Sequence, residues 1–144
     1  MGIEACVPRS YDSLTLDIAV VDAVGHLIAF IGQDGAPMGS IDLAINKAVT
    51  ARMFDGPASQ AQSGKPSFGI QESDAGKVVI FDAGIPVTIG GNTVAAVEAS
   101  AETIEQDVSV ADAAAAALRH PTAAFRSSRV TMRRKAMDGI ISTK

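Results

Sequence analysis

Leu14, Leu16, Ile18 and Val20 alternate with Thr15, Asp17, Ala19 and Val21, and the run stops at Asp22. That period of two predicts a half-buried strand. Gly25 closes the turn Asp22-Ala23-Val24-Gly25 where positive φ is tolerated, and residues 26–31 resume as apolar chain, so the two runs predict a hairpin. After a loop over 32–39, Ile41, Ala44, Ile45, Ala48 and Val49 recur at helical spacing. Ser40 is the expected cap, Asp42 sits favourably in the first turn, and the helix is expected to run to about Phe54. Pro57, Gly64 and Pro66 then break the chain into a long connection, with room for one short helix, that suits a flap or rim.

Three further strands are predicted over 78–81, 85–89 and 93–99, separated by Asp82-Ala83-Gly84 and Gly90-Gly91-Asn92, both of tight-turn chemistry. The alanine-rich run over 102–118 is a strong helix former that Pro121 ends. A last amphipathic stripe, Met132, Ala136, Met137, Ile140 and Ile141, predicts a helix over 131–142 with a basic opposite face. The chain is short enough to be one α+β domain spanning 1–144.

Composition narrows the class. With 47% hydrophobic and 19% charged residues the chain is of globular type. No apolar run is long enough to span a bilayer and no signal-peptide pattern opens the chain, so a cytoplasmic protein without membrane partners is expected. The lone Cys6 forms no internal disulfide and lacks metal-ligand spacing. The net charge of −4 is uneven: residues 121–144 carry about +5 and the rest about −9. Phe125 is the only aromatic in that basic segment, which therefore does not read as a nucleic-acid surface.

The runs IAVVDAVGHL over 18–27 and DGAPMGSIDLAINKA over 34–48 resemble the signature blocks of the GlcG/HbpS-like family. Phe68-Gly69-Ile70, Gly84-Ile85-Pro86 and Glu105-Gln106-Asp107 follow in that family's order, and the similarity covers about 15–118. The resemblance implies a five-stranded antiparallel sheet with helices on both sides in profilin-like layers, a homo-oligomer, and haem as a possible cofactor. It also implies a long helix before the first strand, yet only a short segment interrupted by Pro8 precedes it here. The segment over 131–142 resembles that missing helix. Circular permutation, exchange of the helix between subunits, and an unrelated extension are the three readings of this relocation.

Candidate chemistry is sparse. In haem-binding relatives a histidine after the glycine of the first hairpin can hold iron, and the resemblance places His26 there; solvation is the alternative. Glu98 stands at a strand end ahead of the position where relatives carry glycines, its neighbours Val94 and Ala96 facing the same way by alternation. Desolvated, its carboxyl titrates upwards and can act as acid or base; in water it is an ordinary strand end. Lys47 lies among small helical neighbours with space for an anionic ligand, or for a salt bridge to Asp34 or Glu98. Phe30, Ser40, Phe68 and Ser100 complete the candidate ligand-binding set, with Ser40 equally explained as a cap, and His120 suits a helix C-terminus.

Three functions remain open on these residues. The first is a haem-binding or haem-processing module with its small-molecule ligand at a subunit boundary and His26 on the iron. The second is a cofactor-free isomerase, cyclase or lyase in which Glu98 moves a proton, Lys47 balances an oxyanion and Asp34 assists. The third is a structural or regulatory oligomer.

Overall fold

A computed structural model of the chain describes residues 15–56, 62–82 and 84–120. The hairpin forms as its pattern predicts, from β1 (Asp17–Asp22) and β2 (Leu27–Gly32). Gly25, at φ +86°, donates its N–H to the Asp22 carbonyl at 3.1 Å and closes the turn. α1 (Gly39–Met53) follows, and a single 3-10 turn over Ile70–Glu72 is the short helix expected in the connection. β3 (Ile85–Ile89) and β4 (Asn92–Ser100) make the second hairpin, whose Gly90 and Gly91 both take positive φ, the geometry of a type I′ turn. α2 (Ile104–Arg119) begins with a capping box in which Thr103 and Gln106 satisfy each other's backbone N–H, and His120 is its C-cap.

The described strands form one antiparallel sheet in the order β2-β1-β4-β3. Alternation along β1 sends Ile18 and Val20 to one face and Ala19 and Val21 to the other, and each face meets a helix. Val110, Ala114 and Ala115 of α2 pack with Ile18, Val20, Val87, Val97 and Ala99. Ala44, Ala48 and Ala51 of α1 pack with Ala19, Val21 and Ala96. The result is an α+β fold of three layers, as the sequence implies.

Two expectations are corrected. The segment 78–81, expected as a fifth strand, joins no ladder: the Val79 N–H is taken by the Thr50 hydroxyl of α1 at 3.0 Å, so this stretch lies along the helix rather than in the sheet. Four strands are therefore found among the described residues. Ser40 is not the cap of α1 either. The cap position is Met38, without a side-chain bond, and Ser40 lies inside the first turn with its hydroxyl turned to Asp17. A third detail refines the alternation, because Val94 is skipped in the β3–β4 register and is exposed, while Ala96 and Glu98 are buried. The helix predicted over 131–142, the basic segment around it and Cys6 lie outside the described residues.

The alanine stripe lets α1 come close to the sheet, and Gly84 comes close to α1. A Cβ at Gly84 would stand 2.5 Å from the Lys47 carbonyl oxygen and 2.8 Å from the Ala51 Cβ, with backbone on one side unable to give way. We expect Gly84→Ala to lower stability by about 1–3 kcal/mol, the usual cost of overpacking. Urea unfolding of the variant against the wild type measures it.

Candidate functional site

Polar groups enter the core on the α1 face of the sheet. Asp17 faces Ser100 across the β1–β4 ladder and Ala19 faces Glu98, so a column of polar side chains runs beneath α1. At its end, the Ser40 hydroxyl donates to Asp17 Oδ2 at 2.5 Å, which joins the start of the helix to the start of β1. All of these residues are buried.

The centre of the column is Lys47, which is 1% exposed and projects from α1 among Ala44, Ala48 and Ala51. Its Nζ lies 3.1 Å from Glu98 Oε1 and 2.7 Å from Asp107 Oδ2. Asp107 comes from the first turn of α2, on the opposite layer, and its other oxygen accepts the Ala101 N–H at 2.5 Å. Lys47 thus ties α1, β4 and α2 together where β4 ends. Burial alone pushes the Lys47 ammonium down, but the charges of Glu98 and Asp107 hold it above its ordinary value. Glu98, 0% exposed, is pushed well above the ordinary carboxyl value by burial, with Asp107 adding to the effect and Lys47 opposing it. Two acids face one base here, and burial makes Glu98 the acid whose proton affinity is raised. Glu98 Oε1 meets Lys47 as an ion pair without hydrogen-bond alignment, and Oε2 has no hydrogen-bond partner among the described residues.

The candidate residues are partly brought together. Lys47 meets Glu98, one of its two expected partners, but not Asp34, which is exposed in the loop after β2. Asp107 is the partner that sequence reasoning missed; an acid in the first turn of an alanine-rich helix signals it, although helix-dipole compensation explains the same residue. Proton transfer to a substrate at Glu98 needs a path from solvent, and the carboxyl is enclosed. His26 lies at the other end of β1 from Ser40 and Ser100, on the exposed hairpin, so these candidates do not share one pocket within a chain. Phe30 packs partly buried on the α1 side and Phe68 is exposed. A cavity of about 480 Å³ opens between α1 and the connection, bordered by Leu43, Val79, Ile80 and Phe81.

The imidazole of His26 is held differently. Asp22 Oδ1 accepts the backbone N–H of Val24 and of His26, each at 2.9 Å, and these two bonds hold the Asp22 carboxyl below the ordinary range. Asp22 Oδ2 faces His26 Nδ1 at 3.6 Å. The ring is 81% exposed, and Val24, Leu27 and Ile28, its neighbours along the chain, are exposed as well. Among the described residues no group of three or more metal-binding side chains forms, and no helix is long and apolar enough to cross a membrane.

A three-layer domain with an antiparallel four-stranded sheet, a buried lysine and an exposed histidine hairpin defines the class of small α+β protein. The chain belongs to the family described as haem degrading protein HbpS-like, whose model matches residues 4–116. It is 35% identical over 100 residues, 67% of this chain and 70% of the relative, to an uncharacterised 15.0 kDa protein of the dhaT-dhaS intergenic region of Citrobacter freundii. Among solved structures it is similar to the Klebsiella pneumoniae protein ORFY, with a TM-score of 0.73 and 27% identity, covering 79% of this chain and 83% of that one. It is similar also to a PduOC–haem complex, with a TM-score of 0.73 and 25% identity, covering 80% of this chain and 88% of that one.

The buried trio makes two predictions. Because the native state holds the Glu98 proton more tightly than the unfolded chain does, its contribution to stability is full below the ordinary value of 4.5 and is lost as pH rises through the elevated one. Glu98→Gln should flatten that decline, read from unfolding free energies measured between pH 4 and 9. Lys47→Met leaves Asp107 buried without its cation, and should lower stability at neutral pH by about 3–5 kcal/mol. An unchanged denaturation midpoint would show that the trio does not hold the layers.

Proposed function

We propose that this chain is a haem-binding protein that works as a cytoplasmic homo-oligomer, with haem held at a subunit boundary beside the first hairpin and His26 as the iron ligand. The observation that carries this reading is the exposed imidazole on a hairpin whose Val24, Leu27 and Ile28, within two residues of it along the chain, are exposed too. An iron ligand has to be reachable, and a porphyrin edge needs apolar surface to cover. The donor set fits: Nδ1 is turned to Asp22, so Nε2 is the ring nitrogen left for a metal. The family and the PduOC relative solved with haem support the same reading. Bound haem supplies a redox-active iron; the chain's own residues bind it, orient it and cover its edge.

The enzyme reading, with Glu98 as acid or base, draws on the raised proton affinity of Glu98, but enclosure of that carboxyl favours binding over turnover. Ser40, Lys47 and Ser100 are buried toward the other end of β1 from His26, and in an oligomer the exposed Phe68, with the partly buried Phe30, is what a neighbouring subunit can bring to the ligand.

An absorbance titration with haemin, run with native mass measurement, tests the proposal. The wild type should show a Soret shift at a fixed haem-to-subunit ratio in an assembly larger than one chain, and His26→Ala should lose or weaken it. No shift in the wild type, or the same shift in His26→Ala, counts against the assignment.

A further inference from the structure

Asp22 and His26 are bound into one turn. The Asp22 N–H donates to the His26 carbonyl at 2.8 Å, and Asp22 Oδ1 takes the N–H groups of both Val24 and His26. With Oδ1 committed to the backbone, the direction of Oδ2 is set by the turn rather than by a free rotamer. Oδ2 then stands 3.6 Å from Nδ1, an ion-pair distance just longer than a direct hydrogen bond.

We propose that Asp22 is a positioning residue for His26, holding the imidazole in the tautomer that keeps the proton on Nδ1 and leaves the Nε2 lone pair for iron. The inference rests on the haem-binding reading. Neutral imidazole carries one proton shared between two nitrogens, and only the unprotonated one bonds a metal. A carboxylate facing Nδ1 decides between them and makes Nε2 a stronger donor. An unanchored aspartate on an exposed hairpin would sample several rotamers; this one is fixed by two backbone bonds before any ligand arrives. The hairpin is thus built for orientation as well as for turning the chain.

Asp22→Asn separates the two roles, because asparagine keeps an oxygen to accept the N–H groups of Val24 and His26 but loses the carboxylate. Haemin affinity should fall about tenfold or more, and the reduction potential of the bound haem should move positive, with the thermal midpoint unchanged. In a His26→Ala background the same substitution should have no further effect, since Asp22 acts through the ring. If Asp22→Asn lowers the thermal midpoint, Asp22→Ser, which keeps an acceptor of its own for the turn, provides the same comparison. Wild-type affinity and potential in a folded Asp22 variant overturn the positioning role, as does an equal loss of affinity in the His26→Ala background. A wild type without a Soret shift, or one matched by His26→Ala, instead overturns the haem or ligand assignment beneath it.

Discussion

The ammonium of Lys47 sits where water does not reach, between a carboxyl from β4 and a carboxylate from the first turn of α2, while its own stem belongs to α1. A buried charge is tolerable only if partners replace its hydration, and here the partners come from three separate elements. Any displacement of one layer leaves an unpaired charge behind, so the contact specifies the relative placement of both helices on the sheet more sharply than apolar packing does. With both carboxyls ionised the group would carry a negative charge in a dry place, and the elevated proton affinity of Glu98 is the response.

That arrangement depends on the thinness of α1. Alanines at 44, 48 and 51 bring its backbone near the sheet, and Gly84 brings the start of β3 against the same turn of helix. The two faces of the sheet consequently differ in kind. Under α2 the core is aliphatic, filled by Ile18, Val20, Val97 and Val110. Under α1 it is made of small residues and a polar column running from Asp17 and Ser100 to Glu98.

The chemistry that stabilises the domain and the chemistry that faces solvent are kept apart. The enclosed trio lies where β4 meets α2, whereas the Asp22–His26 pair stands on the hairpin turn at the other end of β1. An exposed imidazole can engage a ligand without disturbing the buried charges, and a change at the turn need not propagate into the core.

Local pattern was enough to place most of the elements. Alternation located β1, the apolar run after the first turn located β2, tight-turn separators bounded β3 and β4, helical spacing and alanine content located α1 and α2, and the blocks over 18–27 and 34–48 pointed to the family that the chain proved to belong to. These features depend on neighbours a few residues away, which the sequence displays directly. What local pattern missed depended on distant neighbours. The segment 78–81 has a strand's composition, but Thr50, in a helix some thirty positions earlier, takes its backbone donor. Ser40 has a cap's chemistry, but Asp17 on the first strand takes its hydroxyl. Lys47 needed a carboxylate, and the sequence offered Asp34 and Glu98 but gave no reason to prefer Asp107, which the α2 cap delivers across the layers. Secondary structure follows from short-range periodicity, whereas the partner of a buried polar group is decided only when the layers close and bring remote acids within a few ångströms.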